Sequence, residues 1–498
     1  MYEFSQKERS WFLRRAGSVY FSQPYLFLFR RAQISHDLFE FLPKLPLTAD
    51  NRPFCKTTYL VPRKRILNTQ TMKKQFFFLL LLASTSTLFG QQPEAYEFKE
   101  VRNLACTPVK SQDQTGTCWA FSTASFLESE ALRLGKGQQD LSEMFVVRNI
   151  YRQKCDNYVR RQGHAQLGEG GLAHDELNAI RQYGLMPESA YPGRKDPAKP
   201  YRHGPLEKTL KTLCDGFVAK ASEGQVPANW LTRIDSVLDA EFGKIPLRFV
   251  VNQTEYTPLS FRDYLGLHPD DYVTLTSFSH HPFYVPFILE IPDNWSNGLF
   301  YNLPISDLLR CAKNALQQGY TVEWDADVSN TGFAAGSGMA IVAAKDWQDK
   351  DVAARANTFK RWESEKAVTQ EYRQELFDRQ ETMDDHLMHV VGMADEKHSG
   401  LYYIVKNSWG EISDRKGFVY VSDAYMRLNT ISFMVHKNSI PVDLRRRLGL
   451  EPGEAVIEGA SQLQPRQRTD KPAGSTRIRP SEGQTSPKKA SPQPNADH

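Results

Sequence analysis

Between Val109 and Leu134 a loop of small and polar residues, VKSQDQTGT, passes directly into CWAFSTASFLESEALRL, and this change fixes where a helix begins. Phe121, Ala124, Leu127, Ala131 and Leu134 recur at three- and four-residue steps, the period of an amphipathic or buried helix, and Gly135 supplies a stop. Thr117 is the candidate N-cap, which puts Cys118 in the first turn. Unpaired backbone N–H groups and the helix macrodipole favour an anion there. The placement therefore predicts a thiol pKa below its reference of roughly 8.5 and an accessible thiolate nucleophile. A lone cysteine is more often a buried structural residue, so the case for chemistry rests on the rest of the chain.

With 498 residues the chain has room for two to four domains. Its net charge of +4 arises among many charges of both signs, with the basic excess at the termini, and gives no argument for a nucleic-acid partner. Residues 72–90 hold two lysines, an apolar run from Phe76 to Ala83, then small and hydroxyl residues up to Gly90, the layout of a secretory signal peptide. The run is shorter than the ~20 apolar residues that span a bilayer, so no stable transmembrane helix is expected after cleavage behind Gly90. Signals of this kind open a chain. Met72 is accordingly expected as the true start, residues 1–71 as an over-extended reading frame, and the mature protein as exported, to the periplasm, cell surface or medium of a bacterium. Six cysteines are too sparse for a disulfide framework in a chain this long. No CxxC or His/Cys cluster suggests a metal, and no cofactor is expected. From about Glu451 to His498 the composition is that of a disordered basic tail.

The globular part is expected over 91–442. Helical patterns fill about 109–184, including 141–154 and a third helix from roughly Leu172, reached through a loop that carries Gly170 and Gly171. Residues 185–380 are mixed, with helical patterns near 229–241 and 303–319, strands near 246–251 and 272–277, and a charged stretch over 345–380 that reads as a solvated helical region. From about 381 to 442 four short segments rich in β-branched and aromatic residues predict an antiparallel sheet or small barrel. Helices first and strands afterwards make a segregated α+β plan. His386 and His389 compete as the base for Cys118. Three residues apart on a strand, they point to opposite faces, and only one can meet the thiol. Asn407, which ends the strand LYYIVKN, can accept from one imidazole nitrogen and fix the tautomer whose other nitrogen meets the sulfur. Trp409 beside it can screen that bond from water.

Taken together these residues resemble the papain-like cysteine peptidases, and among them the bleomycin hydrolase/aminopeptidase C branch, over about 100–440. The resemblance implies a papain-like fold, with a helical subdomain and a β-barrel-like subdomain, an active-site cleft between them, and insertions over about 185–380. It assigns Gln112, six positions before the nucleophile, to the oxyanion hole, Cys118 to the attack, and Asn407, in Asn-Ser-Trp-Gly, to orienting the histidine. Gly392 lies six beyond His386, which selects His386 over His389. Gly170 and Gly171 are expected to line the substrate subsites, with Trp119 and Trp409 flanking them. Where classical relatives carry a cysteine three residues before the nucleophile this chain has Thr115, with Gly168 or Glu169 at the partner position, and the missing disulfide points to the bleomycin hydrolase branch. Residues 433–448 look like the segment leading into that branch's carboxy-terminal arm, whose end holds a substrate's α-amino group in enzymes that are commonly hexamers. This chain continues into the basic tail instead, so aminopeptidase, endopeptidase and non-catalytic peptide binding all stay open, as does homo-oligomer formation.

Overall fold

The computed structural model describes residues 94–451. The expectations for residues 1–71, for the signal-like segment 72–90 and for the tail beyond 451 lie outside the described residues.

Helix α1 (Cys118–Arg133) is buried along its whole length from Cys118 to Ala131. Its apolar stripe and its polar face are both covered, so each polar side chain needs a partner. Ser122 Oγ donates to Glu323 Oε1 at 3.2 Å, Ser129 Oγ to the Ala105 carbonyl at 3.1 Å, and Glu128 accepts from Thr107 Oγ1 and from the Leu141 N–H. Thr117 occupies the N-cap position, but its hydroxyl pairs with Thr115 Oγ1 at 2.6 Å and caps nothing. At the far end Gly135 adopts φ 72°, the left-handed turn that glycine permits.

Helices α2 (Glu143–Arg160), α3 (Ala173–Tyr183), α4 (Gly204–Ser222), α5 (Trp230–Phe242) and α6 (Pro258–Leu265) share an apolar core with α1 that includes Phe126, Met144, Ile150 and Ile180. Ser142 caps α2 by accepting from the Phe145 N–H.

The remaining framework is an eleven-stranded mixed sheet. In chain order its strands are β1 (Phe98–Asn103), β4 (Tyr272–Thr276), β5 (Pro286–Ile288), β6 (Leu299–Asn302), β7 (Val322–Ala326), β8 (Phe333–Ala334), β9 (Met339–Ala340), β10 (His386–Glu396), β11 (Gly400–Lys406), β12 (Phe418–Ser422) and β13 (Thr430–His436), while β2 (Phe249–Val251) and β3 (Thr254–Tyr256) form a separate hairpin. The order is β5-β6-β4-β13-β7-β10-β11-β12-β9-β8, with β1 also on β10. Most pairs are antiparallel, as expected; β4 with β6 and β9 with β12 run parallel. Residues 185–380 thus supply β4 and β7 to the middle of the sheet, together with α7 (Ile305–Gln318), which packs Leu308, Leu309, Ala312 and Leu316 onto it.

The charged stretch 345–380 departs from a solvated helical region. It holds a 3-10 turn at Trp347–Asp349 and the short helices α8 (Val352–Asn357) and α9 (Gln370–Asp378), and Arg373 is fully buried. Its guanidinium donates to the carbonyls of Ser277, Arg427, Leu428 and Thr430 and lies over the Phe278 ring. Five N–H donors in a rigid fork allow this clasp, and the alternation of charges gave no sign of it. After α10 (Asp423–Asn429) and β13 the chain forms α11 (Val442–Arg447), whose Leu444 enters the core of the sheet. No helix among the described residues is long and apolar enough to cross a membrane.

Candidate active site

Cys118 opens α1 where that helix meets the start of β10, and the backbone N–H of Leu387 points at its sulfur. His386, the residue before, places Nε2 at 2.7 Å from Asn407 Oδ1. An amide oxygen only accepts, so Nε2 carries the proton and Nδ1 keeps its lone pair. Asn407 Oδ1 also accepts from the Ser408 N–H at 2.7 Å, which fixes the amide's orientation. Trp409 stacks on the His386 ring at 4.5 Å between centroids and is itself 36% exposed, so it roofs the imidazole on the solvent side.

Gln112 joins the nucleophile loop to the asparagine loop. Its Oε1 accepts from Ser408 Oγ and its Nε2 donates to the Thr115 carbonyl, both at 2.7 Å. A primary amide has two N–H donors, and the second is free of hydrogen bonds among the described residues.

His389 does not join this group. Leu387 packs in the core around α1 and Met388 in the core of the sheet, so the strand alternates faces. His389 is fully buried, with Nδ1 at 2.9 Å from Ser125 Oγ and its ring edge-on to Phe126. Lys406 Nζ donates to the same Ser125 hydroxyl at 2.7 Å and to Thr107 Oγ1 at 2.9 Å.

The glycine pair packs against Trp119 and Asp293. A Cβ on Gly170 would overlap Asp293 Oδ2 at 2.0 Å, and one on Gly171 would press tightly on the Trp119 ring at 3.2 Å. Trp119 is fully buried and donates its Nε1 proton to the Glu169 carbonyl at 3.1 Å. It supports the glycine rim from beneath, in place of the cleft position expected for it. Glu169 adds a second link, because its carboxylate accepts from the Gly116 N–H at 2.6 Å.

Two family models together cover most of this architecture. Residues 92–237 match the papain family cysteine protease model and residues 250–456 the peptidase C1-like family. The chain belongs to the papain-like cysteine peptidases. It is an enzyme of that kind, in the bleomycin hydrolase/aminopeptidase C branch. Aminopeptidase G of Lactobacillus delbrueckii subsp. lactis is 23% identical over 399 residues, 70% of this chain and 84% of the relative. Aminopeptidase C of Listeria monocytogenes is 23% identical over 387 residues, with the same shares. The crystal structure of pepw from Lactobacillus rhamnosis hn001 superposes with a TM-score of 0.56 at 17% identity, covering 77% of this chain and 95% of that one, and shows the same fold. Within this peptidase the loop before Cys118 is tied to the glycine loop by the Gly116–Glu169 hydrogen bond. The five described cysteines are all free thiols.

Electrostatics at the nucleophile reverse the sequence expectation. Burial pushes the Cys118 thiol up to about 12; the Leu387 amide pulls it down, while Asp384, Asp293 and Asp325 push it further up. The helix start is outweighed by desolvation. Burial also drives His386 down to about 4, against the opposite pulls of Asn407 and Asp385. Burial disfavours the charged form of both partners in the resting site.

Motif reading did not single out the three aspartates that act on the Cys118 thiol, nor Glu323, which accepts from Ser122. Asp384 stands two positions before His386, and Glu323 and Asp325 alternate on one face of β7; acids spaced by two in an otherwise apolar strand were the available signal. Glu323 is pushed up to about 8 and Glu365 to about 7, both chiefly by burial. Folded carboxyls whose pKa is raised hold protons that the unfolded chain has already lost, so their contribution to stability falls as pH rises toward the folded pKa. Histidines whose pKa is lowered act in the opposite sense, but only below roughly 6.5, where the unfolded imidazole charges. Between pH 6.5 and 8 the carboxyls act alone, and stability should fall by up to ~1.4 kcal/mol per pH unit for each. Thermal melts at pH 6.5, 7 and 8 should show a declining midpoint, shallower in Glu323→Gln; a midpoint that rises with pH contradicts this assignment.

Proposed function

We propose that Cys118, His386, Asn407 and Gln112 form the catalytic centre of an exported aminopeptidase that transfers the acyl part of a peptide to water. The observation that carries the reading is the 2.7 Å bond from His386 Nε2 to Asn407 Oδ1, made directly beside the Leu387 amide that faces Cys118. His386 Nδ1 takes the thiol proton as the sulfur attacks the peptide carbonyl. The free N–H of Gln112 and the first-turn N–H of Cys118 then hold the oxyanion, and a single donor of this type is worth about 10²–10³ in turnover. The proton on His386 passes to the leaving amine. Water, deprotonated by the same imidazole, cleaves the thioester and restores the thiol. Asn407 orients the ring throughout and does not titrate.

Aminopeptidase action is supported by the two relatives, both named as aminopeptidases and each matched over 84% of its length. Hydrolysis of a dipeptide amide with a free α-amino group, compared with its N-acetylated form, tests it. The free form should be cut and the acetylated form resist; equal rates make the enzyme an endopeptidase. Export is supported by the charged, apolar and small-residue succession of residues 72–90. Sequencing of the mature protein should give Gln91 as the first residue, and a first residue upstream of Met72 contradicts it.

A further inference from the structure

A second cluster of ionisable side chains is separate from the Cys118 centre, and the acyl-transfer reading above uses none of it. The turn after β4 carries His280 and His281 in succession, and Glu290 follows shortly after β5. His280 Nε2 lies 3.2 Å from Glu290 Oε2, and His281 Nε2 lies 2.8 Å from Glu290 Oε1. Among the described residues this is the group of histidine, cysteine and carboxylate side chains whose ligand atoms all converge within 4.8 Å of one another. Glu290 is exposed and both imidazoles are partly so, which leaves the group open to ions from solvent.

The fold holds these rings in place. Asn302, buried at the end of β6, donates Nδ2 to the carbonyls of Phe278, His281 and Pro282 and accepts from the Phe278 N–H, which clamps the turn. The His281 ring stacks on Phe287 of β5 at 4.2 Å between centroids, and the His280 ring stacks on Phe377 of α9 at 5.8 Å. Side chains already ordered lose little entropy when they bind. Gln374 of α9 sets the proton on His280. Its Oε1 accepts from the Ser279 N–H, so it is Nε2 that donates to His280 Nδ1, at 3.1 Å. The Nδ1 atom therefore accepts, and Nε2 carries the ring proton toward Glu290.

We propose that His280, His281 and Glu290 bind a divalent transition-metal ion of the zinc type. Two imidazoles with one carboxylate suit zinc, nickel or copper, whereas calcium and magnesium take oxygen donors. Nitrogen and oxygen ligands at about 2.0–2.1 Å from a tetrahedral zinc stand ~3.3 Å from one another. The separations of 3.2 and 2.8 Å come close to that edge, so a small widening admits the ion. His281 and Glu290 form the primary pair. His280 joins when its ring proton moves from Nε2 to Nδ1, which releases the bond from Gln374, and water completes the tetrahedron. The bound ion ties the turn after β4 to the segment after β5. This tie is structural and does not depend on the chemistry at Cys118.

Cobalt titration of full-length, untagged Cys118→Ala protein, first stripped with a chelator, tests the site with the nucleophilic thiol removed as a competing ligand. One equivalent of cobalt should bind with a dissociation constant in the micromolar range or below and give visible d–d bands without the near-ultraviolet band of thiolate ligation, and zinc should displace it at the same stoichiometry. His281→Ala and Glu290→Gln should each weaken binding on the order of a hundredfold. His280→Ala should weaken it about tenfold, because His280 must first give up its bond from Gln374. Thermal melts of the metal-free variants check that the fold is kept; Glu290→Gln, altered at an exposed side chain, decides the matter where a histidine variant is unstable. Absence of stoichiometric uptake, a thiolate band, or affinity unchanged in Glu290→Gln overturns the proposal.

Discussion

Cys118→Ala abolishes peptide hydrolysis, with kcat/KM falling on the order of 10⁴–10⁶-fold, as for removal of other enzymatic nucleophiles, while substrate affinity stays within a few-fold. The size of the effect follows from position. Cys155, Cys214 and Cys311 are buried at other places in the fold and Cys106 is only partly exposed, so none can replace the sulfur that faces Leu387. The substitution is also mild for the fold. Cys118 sits at the first position of α1, and alanine is the best helix former. Initial rates on a free-amino peptide, with a melting temperature close to wild type, are the measurement. Turnover near the wild-type rate would remove Cys118 from the chemistry.

The second large effect separates two histidines three residues apart. His386→Ala should lower kcat by about 10⁴-fold or more, because among the described residues no other imidazole is held in place by an asparagine. His389→Ala should leave most of the activity and reduce stability by about 1–3 kcal/mol, the range for stranding buried hydrogen-bonding groups. Removing the His389 ring deprives the Ser125 hydroxyl of one partner, leaves a void against Phe126, and weakens the contacts that hold Lys406 inside. Steady-state kinetics and chemical denaturation on both variants distinguish the outcomes. Activity lost from His389→Ala with stability retained would exchange the two roles.

Local patterns carried much of this architecture. The three- and four-residue steps after Cys118 located α1 because apolar residues dominate one of its faces, and the glycine at 135 marked its end. The β-branched runs after 381 became β10 to β13 for the same reason, in that strands covered on both faces are apolar throughout. His386, Asn407 and Gln112 stood out by residue type and spacing, and the fold links them through Ser408. Long-range compensation was not legible. Arg373 reads as one more charge in a polar stretch, and only the folding of α10, β13 and the end of β4 against α9 brings four carbonyls to it. The thiol's pKa was misjudged for a related reason. A helix start is a local feature, whereas the burial of Cys118 and the approach of Asp293, Asp325 and Asp384 from three separate segments arise only on folding. Trp119 shows the same limit, since its indole is sealed beneath Gly171 rather than set in the cleft.

The most direct test of the central claim is covalent titration of the wild-type protein with a peptidyl epoxide, followed by mass mapping of the modified residue. One equivalent of reagent should attach to Cys118 and eliminate hydrolysis in proportion to its incorporation, and the His386→Ala protein should react far more slowly. Modification at Cys106 alone, or full modification of Cys118 with peptide hydrolysis intact, would contradict a peptidase built on the Cys118–His386–Asn407 centre.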